Sequence, residues 1–98
     1  MLTVRLTDPQ IGAIQCRDWS EEPVMRAQLI HDRTALHFLE RDRVALAEEL
    51  NTASNAEDEH AQQLRREGEL ECARHAARAA RVLANVMLKV FRCGMHDR

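Results

Sequence analysis

The residues best suited to chemistry in this chain form two cysteine-histidine pairs with the same spacing, Cys72 with His75 and Cys93 with His96. Residues three apart on a helix share a face, and zinc accepts thiolate and imidazole ligands in tetrahedral geometry. The pairs lie about 30 Å apart on a straight helix, so they could share a metal only across a dimer or a helix break. Cysteine is also an ordinary small apolar residue of buried helices. We therefore expect no bound metal and keep a metal-binding bundle as a third interpretation.

No other set of residues predicts catalysis. Glu57 and His60 match half of the Glu-x-x-His arrangement of di-iron bundles, but the sequence has no second such pair. It also lacks a glycine-rich phosphate loop and a dinucleotide-binding fingerprint. The serines and cysteines belong to no nucleophile-base motif. We therefore expect a protein that is not an enzyme and that uses no cofactor.

Charge is distributed unevenly along the C-terminal half. Residues 57–71 carry six acids and two bases, whereas residues 72–98 carry six bases and one acid. This polarity suits the helix dipole, so a solvated, stabilised helix is the simpler interpretation. The functional interpretation is that these charges bind a partner. The candidate partner-binding residues are Glu67, Glu69, Glu71, Arg74, Arg78, Arg81, Lys89 and Arg92.

The basic residues recur at helical spacing from Arg74 to Arg92, which suits contact with phosphates. The composition nevertheless argues against direct nucleic-acid binding, because the chain has no Tyr, only two Phe and one Trp, and a net charge of -2. We expect the partner to be a protein or a nucleoprotein.

The sequence pattern predicts one helical domain with four segments. Leu2, Val4 and Leu6 alternate with polar residues, which favours an extended arm, and Asp8 with Pro9 is typical of a helix start. Apolar residues at alternating spacings of three and four then follow, as in coiled coils. The predicted segments are an arm at 1–7, a short helix at 8–18, and long helices at 20–50 and 54–93.

The two long predicted helices favour an all-α fold, a long antiparallel helical hairpin that turns at residues 52–53. The last helix is apolar over most of its circumference near its C-terminal end, so neighbours must cover it. Since C2 association is the commonest way to hide a shared apolar face, we expect a homodimer and a dimeric helical bundle. The candidate interface residues are Met25, Leu29, Val82, Val86, Val90 and Phe91.

The sequence also bears on location. Three cysteines cannot all pair within one chain, and no apolar signal region follows Met1. The longest apolar stretch, broken by Asn85 and Lys89, is shorter than the ~20 residues that span a bilayer. We therefore expect a cytoplasmic protein that does not interact with membranes.

In size, helical composition, arginine content and lack of a catalytic constellation, the chain is similar to small phage or prophage accessory proteins, including helical anti-CRISPR inhibitors. This resemblance lies in composition and involves no specific residues. Our first expectation is a non-catalytic helical protein-protein interaction module. The resemblance implies an alternative, an inhibitor or regulator that blocks a host nucleoprotein through the acidic face formed by Glu67, Glu69 and Glu71.

Overall fold

The computed structural model describes residues 1–29 and 34–93, which are mostly helical. In chain order the elements are β1 (Leu2–Arg5), α1 (Asp8–Gln15), α2 (Pro23–Leu29), β2 (Ala35–Phe38), a 3-10 turn (Glu40–Asp42), α3 (Arg43–Arg66) and α4 (Leu70–Arg92). The predominance of helix agrees with the composition. The all-α prediction omits the two short strands.

The strands form an antiparallel two-stranded sheet. Leu2 lies opposite Phe38, and Val4 lies opposite Leu36. β1 occupies the segment for which alternation predicts an extended arm, whereas β2 falls within the predicted helix at 20–50, so that prediction is wrong there. Three of the four β2 residues are buried, and such a short apolar run has no period that distinguishes a strand from a buried helix.

The short helix α1 begins with a capping box. The Thr7 hydroxyl accepts a hydrogen bond from the Gln10 amide at 3.4 Å, and the Gln10 side-chain oxygen accepts one from the Thr7 amide at 2.9 Å. The N-cap is therefore Thr7 rather than Asp8, and the helix ends at Gln15 instead of residue 18.

A side chain of α3 caps the helix α2. The Glu49 carboxylate accepts hydrogen bonds from the amides of Val24 and Met25, at 3.1 and 2.7 Å. These amides lie in the first turn of α2, where backbone N–H groups have no partner within the helix and favour negative charge. Glu49 thus attaches α2 to α3.

The two long helices are joined at Gly68 rather than at the predicted turn at residues 52–53. Gly68 has a φ of 81°, and its amide donates to the Arg65 carbonyl at 3.1 Å. The Glu69 amide donates to the Leu64 carbonyl at 2.9 Å, which completes a Schellman motif. Glycine adopts this left-handed conformation without the steric cost that other residues meet.

The predicted turn at residues 52–53 lies inside α3, so the boundaries predicted for the long helices at 20–50 and 54–93 are wrong. Ala53 is fully buried, and the Ser54 hydroxyl donates to the Ala80 carbonyl of α4 at 2.7 Å. Tertiary packing here outweighs the weak helix propensity of the neighbouring residues.

α3 and α4 pack against each other, and we call them the helix pair. The Arg43 guanidinium, at the start of α3, donates to the Phe91 carbonyl near the end of α4. β1, β2, α1 and α2 all contribute buried side chains to a core that rests on this end of the helix pair. The largest fully buried side chains are Phe38, Ile14, Met25, Leu36, Leu46, Leu50, Leu83, Val86 and Val90.

Candidate interaction surface

Five basic residues of α4 form a row on its exposed side. They recur at intervals of three or four residues, except for the gap filled by Asn85, so they lie on one face of the helix. The buried residues of α4, from Ala73 to Val90, occupy the opposite side. We call this row the basic stripe; its members are Arg74, Arg78, Arg81, Lys89 and Arg92, all exposed.

The first half of the basic stripe borders a groove between α3 and α4. Arg74, Arg78 and Arg81 line it together with Arg65 of α3. None of these four guanidinium groups forms an ion pair or hydrogen bond with any residue in the described part of the chain. The sequence did not indicate that Arg65 belongs to this group. The predicted helix at 54–93 contained all four arginines, so it could not bring Arg65 across to the other three.

The rest of the groove lining is small or polar. Asp58 is the acid that lines it, and its carboxylate accepts a hydrogen bond from the Gln62 side chain at 3.2 Å. Asn55 adds an amide beside it. The remaining lining residues have small side chains, so an extended ligand can approach the backbone of the helix pair; they are Ser54, Ala77, Ala80 and Ala84.

The second half of the basic stripe is partly engaged within the chain. The Lys89 ammonium donates to the Gln10 side-chain oxygen at 2.8 Å and to the Arg5 carbonyl at 3.3 Å, so it ties α1 and β1 to α4. Arg92 lines a second groove together with Arg5 and Lys89. Lys89 therefore has a structural role in addition to its place in the stripe.

The three predicted acidic residues lie at the other end of the helix pair, around the connection. Glu67, Glu69 and Glu71 are all exposed. The Glu67 carboxylate accepts a hydrogen bond from the Gln63 side chain at 3.0 Å. Gly68 separates Glu67 from Glu69. The three acids therefore lie around a helix connection and do not form the face that one continuous helix would give them.

The structure places the predicted dimer residues differently from the sequence expectation. Met25, Val86 and Val90 are fully buried in the core of a single chain, so β1, β2 and α1 cover the apolar excess that the prediction assigned to a second copy. Leu29 is partly buried against this core, and Val82 is partly buried on α4. Met25, Val86 and Val90 are therefore core residues rather than interface residues, whereas nothing in the structure tests the interface role of Leu29 and Val82.

Phe91 is the predicted interface residue that stays accessible, with 44% exposure. One turn earlier, Leu88 is 39% exposed, and Val44 of α3 is 48% exposed. The neighbouring Arg43 guanidinium lies 5.5 Å from the centre of the Phe91 ring, which brings the start of α3 to this end of α4. We call Val44, Leu88 and Phe91 the apolar end.

The described members of the cysteine-histidine pairs, Cys72, His75 and Cys93, do not form a metal site. Cys72 and His75 are exposed on α4, and the Cys93 thiol lies 3.8 Å from the Thr3 carbonyl, which accepts its hydrogen bond. His96 lies outside the described residues. Within residues 1–29 and 34–93, no group of three or more His, Cys, Asp or Glu side chains is arranged to hold a metal ion.

Comparisons with protein-family models, curated proteins and solved structures find no match to this chain. Among the helices described above, none is both long enough and apolar enough to cross a membrane. The functional interpretation therefore rests on the surfaces of the molecule itself.

Proposed function

We propose that the protein is a non-catalytic helical interaction module that forms a homodimer through the apolar end. The observation that carries the proposal is the exposure of Val44, Leu88 and Phe91, between 39% and 48%, at the place where the helix pair meets the core. Exposed large apolar side chains that lie close together mark interaction sites, and these three lie at the same end of the helix pair. In a C2 dimer the same group of each copy faces the other, so a single apolar patch suffices.

The test is the absolute mass in solution, measured by size-exclusion chromatography with light scattering. We expect twice the 11.3 kDa of one chain for the unmodified protein. The double variant Val44→Gln/Phe91→Gln should elute as a monomer, because it removes most of the apolar end and keeps good helix formers.

The matched control is Leu70→Gln. Leu70 is the most exposed large apolar side chain of the helix pair, at 58%, but it lies beside the connection, away from the apolar end. We expect this variant to remain a dimer. A monomeric unmodified protein, or a dimer that survives the double substitution, would contradict the proposal.

A second candidate function uses the connection end of the helix pair. We propose as the alternative that Glu67, Glu69 and Glu71 bind a basic surface of a nucleoprotein, as an inhibitor of the phage type would; their exposure supports this proposal. Reversal of all three to Lys should abolish binding to such a target in a competition assay with nucleic acid. Unchanged inhibition would exclude this role for the acidic residues.

A further inference from the structure

The groove beside the basic stripe carries positive charge that the chain does not use internally. The chain has 16 acidic residues and 14 basic ones, so acids to neutralise the groove are plentiful. Arg17 and Arg43 do form ion pairs, with Glu22 and Glu57 and with Glu40. The four groove arginines have no such partner among the described residues. Their charge is available to an anionic ligand from outside.

We propose that this groove and the basic stripe bind the phosphate backbone of double-stranded nucleic acid, without reading its sequence. The groove lies apart from the proposed dimer contact, whereas Lys89 and Arg92 of the stripe lie beside Leu88 of the apolar end. The inference does not depend on the dimer. The net charge of -2 and the few aromatic residues argue against nucleic-acid binding at the level of the whole chain. The tertiary structure nevertheless concentrates positive charge locally, because Arg65 joins Arg74, Arg78 and Arg81 at one groove.

The stripe is long enough to contact several phosphates of a duplex. From Arg74 to Arg92 the helix advances about 27 Å at 1.5 Å per residue. Over that axial distance one strand carries about eight phosphates, and a straight stripe meets those that face it while the strand winds around the axis. Arginine is the suitable cation, because its planar guanidinium donates two parallel hydrogen bonds to phosphate oxygens.

The lining of the groove distinguishes between classes of anionic partner. An acidic protein would be held by large apolar or aromatic anchors in pockets, as at other protein interfaces. The groove floor instead consists of Ala77, Ala80, Ala84 and Ser54. A single strand would need aromatic side chains on which its bases stack, and no aromatic residue lines the groove within the described chain. A duplex needs neither, since its phosphates lie on the outside.

The experiment is fluorescence anisotropy of a labelled duplex of arbitrary sequence, titrated with the full chain at several salt concentrations. We expect binding at low salt, with the logarithm of the association constant falling linearly against the logarithm of salt concentration. Arg74→Gln/Arg78→Gln should weaken binding at low salt by roughly tenfold for each arginine. It should also make the slope of the logarithm of the association constant against the logarithm of salt concentration less steep by about 1.8, since each neutralised phosphate contributes about 0.9.

The matched control is Arg26→Gln/Arg41→Gln, which removes the same charge from two exposed arginines away from the groove. We expect its salt slope to equal that of the unmodified protein. Circular dichroism on both double variants checks that the helices are intact. Absent duplex binding at low salt, or equal losses in both double variants, would overturn the proposal.

Two competitors test the class of ligand. Unlabelled duplex should displace the labelled duplex, whereas polyglutamate at the same charge concentration should not. If polyglutamate competes equally well, the surface recognises acidic protein and the proposal is wrong. A single strand of equal length should bind more weakly than the duplex. Tighter binding of the single strand would exclude the duplex as the preferred ligand.

Discussion

The two ends of the helix pair are held together in different ways. At the end near the sheet, Leu50, Leu83 and Val86 are large, fully buried and part of a core shared with β1, β2, α1 and α2. Toward the connection, Ala61 and Ala73 are equally buried, but they lie outside that core. Large side chains fill the core where β1, β2, α1 and α2 cover the helix pair. Alanine side chains fill the contact where mainly the two helices meet.

This difference has an energetic consequence. Burial of an apolar side chain stabilises the fold roughly in proportion to the area removed from water, so an alanine contributes much less than a leucine. The core end should therefore hold most of the free energy of unfolding, and the connection end should open more readily. The following substitutions test this contrast, each measured by chemical denaturation followed by circular dichroism.

The largest effect is expected at the core end, from Leu83→Ala. Leu83 is fully buried, so the substitution leaves a cavity and should lower the free energy of unfolding by about 2–5 kcal/mol. Leu70→Ala removes the same atoms near the connection, where Leu70 is 58% exposed. It should change the free energy of unfolding by less than about 0.5 kcal/mol. Similar losses at both positions would show that the ends do not differ.

The next largest effect is expected where Glu49 attaches α2 to α3. Glu49→Ala removes the acceptor for the amides of Val24 and Met25 and should lower the free energy of unfolding by about 1–3 kcal/mol. Glu48→Ala is the control, because Glu48 is the exposed neighbour on the same helix. An equal response of the two variants would contradict a capping role for Glu49.

Among the three test substitutions, apart from their controls, the smallest loss is expected at the connection, from Gly68→Ala. Gly68 has a φ of 81°, and an added Cβ would meet no atom within 4 Å, so the loss of about 1–2 kcal/mol would come from backbone strain alone. Gly12→Ala is a control of opposite sign. Gly12 lies within α1 in equally open space, and alanine there should stabilise by about 0.5–1 kcal/mol. Stabilisation by both substitutions would refute the conformational role of Gly68.

Local signals account for the parts of the fold that the sequence predicted. Alternation at Leu2 and Val4 indicated the extended segment, and Pro9 indicated the helix that follows it. The charge row from Arg74 to Arg92 was readable because helical periodicity alone places these side chains on one face.

The errors arose where local signals were ambiguous. Ser54 and its neighbours have the composition of a turn, but their packing against α4 keeps them helical. Gly68 carried the signal for a helix end, yet an isolated glycine within a helical pattern has more than one interpretation. Met25, Val86 and Val90 were assigned to a dimer interface because the predicted hairpin left them uncovered, whereas residues of β1, β2 and α1 pack over them.

By itself, then, the sequence determined a mostly helical chain and one charged face on its last helix, because composition and helical period act over a few neighbouring residues. Only the tertiary structure decided that β2 pairs with β1, that the helices join at Gly68, and that Arg65 lies at the same groove as Arg74, Arg78 and Arg81. Each of these depends on contacts between residues distant in the chain, and local periodicity contains no information about which distant residues meet.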